Sequence, residues 1–405
     1  MYERIQGNDM YNAATNSPFD VNLNINNVLF TDPHVSALAG GGVITPATAI
    51  PVSSIVGLNR EYKVPTSYQF SLGIQQSLGR NAVFSVSYVG NQNRWQSYSQ
   101  ESDLPPQGQL ASLATTKAGT NGVPFNGLVQ YPGFNTILLN FTGSNSHYNG
   151  LQTEIHGRMT RDLQLQAAYT YSQAIDPTTG NLGGGDSFDL DHVSNPYVGW
   201  RYDIGPSPFD RRHVAFVNFV YDIPVFKNSS NHLLKSTIGG WELSGIVVAQ
   251  SGAPLNIGCN STCGPSSLPS STANIFPGGD VLSRPNIVGP IRYPKTVDEW
   301  FDPSAFGAPA PGTWGNLGFD ALRGPGRQNW NLSLFKEFVI NEDRGSRVEF
   351  RAESFNTWNH TQFGGPGQGG TNTAGIITDL GSSNFGAVTS AWDPRVFQLG
   401  LKVIY

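Results

Sequence analysis

Apolar and polar residues alternate one by one along several segments of this chain, and this alternation constrains the fold more than any other feature; two further segments, Arg212–Ile223 and Trp241–Ser251, are apolar on both faces. In Leu163–Ser172, leucine, alanine and tyrosine occupy the odd positions, while most even positions are polar. Successive side chains of a β-strand point to opposite faces of its sheet, so a period of two predicts strands. The nine predicted strands are Tyr68–Gln75, Ala82–Tyr88, Leu151–Arg158, Leu163–Ser172, Arg212–Ile223, Trp241–Ser251, Trp330–Phe338, Arg347–Trp358 and Arg395–Tyr405.

The connections between these segments alternate in length. Short or medium links follow the first, third, fifth and seventh segments, and long links follow the others. The long links are Asn91–His147, Ile175–Arg211, Gly252–Arg327 and Asn359–Pro394. Because consecutive antiparallel strands run in opposite directions, this alternation places every long link at one end of the sheet. Short periplasmic turns and long extracellular loops are typical of outer-membrane barrels.

Composition agrees with an all-β protein that crosses a membrane with strands. Charged residues make up only 13% of the 405 residues, aromatic residues make up 11%, and no run of apolar residues is long enough for a membrane helix. The net charge of −5 gives no basic footprint for nucleic acid. A secreted soluble β-sandwich, whose exposed sheets alternate similarly, remains an alternative. We predict an antiparallel transmembrane β-barrel, and the alternating loop lengths favour it over the sandwich.

The start of the chain and the number of strands predict only part of a barrel. Residues 1–10 contain no apolar stretch typical of a secretory signal, so we expect an N-terminus further upstream. Whether Met1 is a true start is left open. Nine is an odd number, whereas single-chain bacterial barrels have even numbers of strands, so the chain is not expected to close on itself. We assign residues 1–67 to the end of a preceding strand plus a surface loop, and residues 68–405 to the C-terminal part of the barrel.

Two groups of residues are candidates for substrate binding. One face of the eighth segment carries four charges, which suit a wet lumen and could contact substrate or instead neutralise one another across strands. Aromatic side chains in the long loops could contact a ligand or serve only loop packing. The lumen candidates are Arg347, Glu349, Arg351 and Glu353, and the loop candidates are Tyr197, Trp200, Tyr202, Trp300, Phe301 and Trp314.

The remaining candidate sites favour structural roles. Cys259 and Cys263 lie four residues apart in the longest loop, and we predict a disulfide over free thiols because an extracellular setting is oxidising. The acidic cluster in residues 186–192 lacks the spacing of a calcium loop, so no metal site is predicted. Asp210 and Arg212 are expected to anchor a barrel rim. No catalytic motif occurs, so neither an enzyme nor a cofactor is predicted.

Short stretches spread along the whole chain carry a family resemblance through their order and spacing. They are residues 2–8 (YERIQGN), 71–80 (SLGIQQSLGR), 86–90 (VSYVG), 148–152 (YNGLQ), 168–176 (AYTYSQAID), 209–213 (FDRRH), 239–245 (GGWELSG), 350–360 (FRAESFNTWNH) and 393–395 (DPR). Together they resemble the C-terminal barrel of Oar-like TonB-dependent outer-membrane transporters. The final strand, which ends on Tyr405, resembles the signal read by the outer-membrane assembly machinery.

The resemblance implies a location and a function. It implies an outer-membrane protein, surrounded by lipid, that takes up a scarce and bulky nutrient with energy delivered by the TonB complex. It also implies a plug domain, further barrel strands and a TonB-contacting motif that are absent from these residues. A passive porin or a surface adhesin that shares the barrel but needs no TonB remains an alternative. The sequence does not identify the substrate or the oligomeric state.

Overall fold

The computed structural model describes residues 2–4, 55–61, 63–109, 129–131, 137–177, 193–227, 229–259, 284–310, 313–341, 345–364 and 375–405. The strands are β1 (Tyr2–Arg4), β2 (Ile55–Leu58), β3 (Thr66–Leu78), β4 (Ala82–Glu101), β5 (Ile137–Arg158), β6 (Leu163–Asp176), β7 (Gly205–Pro206), β8 (His213–Asp222), β9 (Trp241–Gln250), β10 (Pro254–Leu255), β11 (Asn286–Ile287), β12 (Phe306–Gly307), β13 (Leu322–Arg323), β14 (Arg327–Asn341), β15 (Ser346–Phe355) and β16 (Val396–Ile404). One α-helix, α1 (His232–Thr237), and 3-10 turns at Gln107–Gln109, Trp200–Asp203 and Pro303–Ala305 complete these elements. None of the described helices has the length and apolar character needed to span a bilayer.

Nine long strands form an antiparallel meander in one sheet. Its order is β1-β3-β4-β5-β6-β8-β9-β14-β15-β16, with β2 added parallel to β5 and β7 added to β6. All nine predicted strands are confirmed. Among the described residues, β1 and β16 each have one neighbour, so the sheet is open.

The connections confirm the predicted alternation in length. The short ones are residues 79–81, 159–162, 223–240 and 342–345, and the long ones are residues 102–136, 177–212, 251–326 and 356–395. Tight turns use glycine where the backbone must be left-handed, as at Gly79 with a φ of 67° and Gly345 with a φ of 68°. Because the meander is antiparallel throughout, all four long connections emerge at the same end of the sheet.

The predicted bounds of the loop Asn91–His147 were wrong. Strand β4 continues for 20 residues to Glu101, and β5 begins at Ile137 and runs for 22 residues. The two extensions pair with each other around a register shift between Asn93 and Gln96, where Trp95 has a φ of 56°. Their many polar side chains hide the apolar alternation that marks the other strands.

The end of β15 was also predicted wrongly. The strand stops at Phe355, three residues before the expected Trp358. Asn356 and Asn359 both have a φ of 51°, and asparagine is among the residues that tolerate this left-handed conformation best. A pair of asparagines therefore ends the strand where the hydrophobic pattern alone still predicts extended backbone.

The register between strands separates an apolar face from a polar one. Leu334 pairs with Leu243 on one side and Ala352 on the other, so this row is wholly apolar. At the adjacent position, Ser333 pairs with Ser244 and Glu353. Directly paired residues lie on the same face of a sheet, so apolar and polar side chains stay on separate faces from strand to strand. An apolar outer face and a polar inner face are the pattern of a membrane barrel.

The apolar face of the sheet is open, and the buried core lies elsewhere. Leu72 in β3 is 75% exposed and Leu399 in β16 is 72% exposed. A soluble sandwich would cover such residues with a second sheet, yet the other two sheets in the described part have only two short strands each. The hydrophobic core is instead built from loop residues such as Leu255, Phe301 and Ile376.

Candidate functional site

The long connections fold into a structured assembly, which we call the loop cap: the described residues of 102–136, 177–212, 251–326 and 356–395. Its core comes from the third and fourth of these connections. The rings of Phe301, Phe306 and Phe385 meet edge to face, with centroids 5.1 to 5.8 Å apart. Packing of this kind fixes the loops in one arrangement.

A buried ion pair joins two of the long connections. Arg284 donates to Asp203 Oδ1 at 2.9 Å and to the backbone oxygens of Tyr202 at 2.6 Å and Leu317 at 3.0 Å. Asp203 also accepts the Ser194 N–H at 2.8 Å. Asp203 is 1% exposed and Arg284 is 2% exposed. Buried charges need such partners, so this network fixes the position of one loop against the other.

A second carboxylate anchors the loop cap to the sheet, as predicted for the barrel rim. Asp210 accepts the backbone N–H of Ala174 in β6 at 2.8 Å and an N–H of Arg323 at 2.5 Å. Arg212 lies 3.9 Å from the same carboxylate. Desolvation lowers the pKa of the neighbouring Arg211, and the charge of Arg323 lowers it further while Asp210 opposes the shift. The Asp210 carboxylate therefore offsets the positive charges of Arg211, Arg212 and Arg323.

Three of the predicted aromatic residues lie together in the loop cap. Tyr197 and Trp314 meet edge to face at 5.5 Å. The Tyr197 hydroxyl donates to Pro105 O at 2.7 Å, and the Tyr202 hydroxyl donates to Gly315 O at 2.7 Å. Burial raises the pKa of both Tyr197 and Tyr202, and the charge of Arg284 opposes the shift only at Tyr202, so both hydroxyls stay protonated. These contacts are loop packing, and ligand binding by the three residues stays a prediction.

The other three aromatic candidates occupy different surroundings. Phe301 is fully buried in the loop core, and Trp300 donates its indole N–H to Arg323 O at 2.9 Å. Trp200 is partly exposed, and the guanidinium of Arg201 lies 5.2 Å from its ring. The structure therefore divides the six predicted residues between a core and an accessible surface, a division that the sequence cannot reveal.

The charged ladder of β15 forms ion pairs along the polar face. Arg347 lies 3.4 Å from Glu337 in β14 and 3.2 Å from Glu349, and Lys402 in β16 lies 3.8 Å from Glu349. Arg351 lies 3.9 Å from Glu353. The charges thus neutralise one another across strands. Glu337 and Lys402 were not predicted, because only the register shows that they flank Glu349.

A second row of polar side chains lies on the same face and was not predicted from the sequence. Gln166 donates to Glu154 at 3.0 Å and accepts from Asn218 at 3.1 Å, which links β5, β6 and β8. His156 lies 3.4 Å from the same glutamate. The sequence placed Glu154, His156 and Gln166 on polar faces, but it did not align them with one another or with Asn218. The polar face is therefore a connected hydrogen-bonded wall in at least two places.

The remaining predicted sites fall partly outside the described residues. Cys259 is buried and disulfide-bonded, whereas Cys263 lies outside the described residues, so the pairing of the two stays a prediction. The acidic cluster at residues 186–192 is likewise outside them. In the part of the chain that the structure describes, no three metal-ligating side chains come together.

Asp320 makes the loop cap sensitive to pH. Burial and, to a smaller degree, the carboxylate of Asp176 raise its pKa to about 7 against the opposing charges of Arg323 and Arg284. Because the folded state holds a proton that the unfolded chain releases near pH 4, stability should fall as the pH rises from about 4 to about 7. The slope is at most about 1.4 kcal/mol per pH unit.

The substitution Asp320→Asn should abolish this dependence and stabilise the loop cap above pH 7. Asparagine tolerates the φ of 51° at this position, so the backbone need not change. Urea unfolding followed by tryptophan fluorescence across this pH range measures the slope for both proteins. Identical slopes would show that Asp320 is already ionised throughout.

A family model confirms the class of protein that this fold defines. The model for the outer membrane beta barrel domain matches residues 1–398, and the chain belongs to this family. It is therefore an outer-membrane β-barrel protein, with its apolar face toward lipid and its polar face toward the lumen. No curated protein matches the chain.

Solved outer-membrane proteins are similar to it over most of its length. BauA, the ferric preacinetobactin receptor from Acinetobacter baumannii, is 13% identical over 84% of this chain and 29% of its own, with a TM-score of 0.38. The outer membrane transporter YddB from Escherichia coli is 10% identical over 86% and 34%, with a TM-score of 0.39. The ferripyoverdine receptor of Pseudomonas aeruginosa is 11% identical over 84% and 27%, with a TM-score of 0.35. The chain thus spans about a third or less of each.

Proposed function

We propose that this chain is the C-terminal barrel segment of an Oar-like TonB-dependent outer-membrane transporter or receptor that takes up a bulky nutrient. The loop cap carries this proposal. It packs a hydrophobic core and a buried Asp203–Arg284 pair at the extracellular end. Ordered loops of this size suit selective capture of a ligand, and the protein acts without catalysing a reaction.

The polar face supplies the second part of the proposal. The ladder of Arg347, Glu349, Arg351 and Glu353 leaves charged groups partly exposed on the polar face. Charges that already pair with one another can exchange partners with a passing ligand or a plug at little cost in desolvation. Ligand contacts in the loop cap would come from Trp200, which is partly exposed, and from the cluster of Tyr197, Tyr202 and Trp314; Trp300 belongs to the loop core.

The remaining parts of the transporter lie beyond these residues. We assign residues 1–67 to a preceding strand and loop and residues 68–405 to the end of the barrel. The plug, the other strands and the TonB-contacting motif belong to the rest of the protein. The strand that ends on Tyr405 is the segment offered to the assembly machinery.

Two measurements on the full-length protein test the proposal. The purified C-terminal domain of TonB from the same organism should bind it in a surface-based assay. In planar bilayers with potassium chloride, the protein should show no steady conductance, because a plug fills the lumen. A stable open channel without TonB binding would contradict the proposal and indicate a passive porin. If the protein neither binds TonB nor conducts ions, the result would indicate an adhesin.

A further inference from the structure

The described part of one short-end connection, residues 223–227 and 229–240, lies over the lipid-facing side of the sheet. Trp241 and Lys336 are direct cross-strand partners and share the face of Leu243 and Leu334. The Trp241 indole donates to Thr237 O at 3.1 Å, and the Lys336 ammonium donates to Gly239 O. Two side chains of the outer face therefore hold the end of α1 and the following turn against that face.

This turn exposes several apolar side chains. Leu233 is 73% exposed, and Val225, Phe226 and Ile238 are each close to half exposed. Each such side chain left in water forgoes on the order of 1 kcal/mol or more of burial free energy. The patch continues through Trp241 into the apolar face of the barrel, which lipid already covers.

Three lysines lie on or beside the same segment. Lys235 is exposed in the last turn of α1, and Lys227 lies 3.6 Å from Asp222. The Lys336 ammonium is buried between the rings of Trp241 at 5.4 Å and Phe338 at 5.0 Å. Among the described residues, neither Lys235 nor Lys336 forms an ion pair with a carboxylate. Aromatic rings and lysines beside an apolar surface are typical of the membrane interface.

We propose that residues 223–227 and 229–240 form a lipid-binding element in the periplasmic leaflet. Phe226, Leu233 and Ile238 enter the boundary between headgroups and acyl chains, and Lys235 binds the phosphate of an anionic phospholipid. Lys336 positions the turn by holding Gly239 and does not itself reach the headgroup. Lipid is the occupant because the patch is continuous with the lipid-facing surface and carries the charge that phosphate requires.

The depth of the turn can be measured with a nitroxide label on Leu233→Cys in the full-length protein in phospholipid vesicles. The matched control is Arg80→Cys, in the exposed turn between β3 and β4 at the same end. The Leu233 label should be several-fold less accessible to a water-soluble nickel reagent than the Arg80 label and more accessible to oxygen. Equal nickel accessibility in pure lipid vesicles would overturn the proposal and point to a protein partner.

The headgroup contact requires a separate pair of variants. Lys235→Gln should reduce the preference for spin-labelled phosphatidylglycerol over phosphatidylcholine by up to about fivefold, the effect of one lysine at an anionic surface. Lys402→Gln removes the same charge at the same end but on the lumen face, where Lys402 pairs with Glu349. It should change the preference little. Equal effects of the two variants, or none from Lys235→Gln, would refute the phosphate contact.

Discussion

Replacement of Arg284 by alanine should destabilise the loop cap by about 3–5 kcal/mol, because a buried carboxylate then loses its charged partner. Asp203 would keep only the N–H of Ser194 among the contacts described above, in a site that is 1% exposed. The backbone oxygens of Tyr202 and Leu317 would lose their donors as well. We expect the loops after β6 and β9 to separate while the strands below them remain paired.

Hydrogen exchange measured by mass spectrometry distinguishes this local effect from global unfolding. In Arg284→Ala, amides of residues 193–210 and 313–323 should exchange faster, whereas those of β6, β8 and β9 should keep their protection. Arg201→Ala is the matched control, since Arg201 is exposed and its guanidinium lies 5.2 Å from the ring of Trp200. Its effect should stay below about 1 kcal/mol. Unchanged protection of the loops in Arg284→Ala would refute the structural role of the pair.

The strands could be predicted because the surroundings of a barrel enforce a period of two. In β6, lipid on one side and water on the other require an apolar residue at Leu165 and a polar residue at Gln166, and the sequence alternates accordingly. A strand segment with water on both sides need not alternate. The paired extensions of β4 and β5 are joined by polar side chains as well as by the backbone, as in the hydrogen bonds of Asn93 with Ser146 and of Ser99 with Asn140, so they were predicted as a loop.

The interior of the loop cap could not be predicted for a different reason. Arg284 and Asp203 are 81 residues apart in the sequence, and nothing in the local pattern of either residue indicates the other. Phe301 and Trp200 are both loop aromatics, yet one is fully buried and the other is partly exposed. Aromatic residues suit both packing and ligand binding, so only the register and the loop paths decide between these roles.

Adjacent positions in β14 should respond very differently to the same charge. Leu334→Arg places a guanidinium among Leu243 and Ala352 on the lipid-facing side, near the middle of the strand. A charge on the lipid face near the bilayer midplane destabilises a barrel by about 2–4 kcal/mol. Ser333→Arg points into the lumen beside Glu353, where water solvates the guanidinium and a carboxylate can pair with it. The free energy of unfolding should therefore change by no more than about 0.5 kcal/mol.

Urea titration of the full-length protein in phospholipid vesicles measures both variants, with the folded fraction read from the shift in gel mobility on heating. The comparison is internal because the two substitutions lie on one strand, one residue apart, and add the same side chain. A register slip of one residue would reverse the order of the two effects, since every side chain would then change face. Equal destabilisation by both would mean that neither face contacts water. The ratio of the two effects therefore tests the register, the lumen and the lipid-facing surface together.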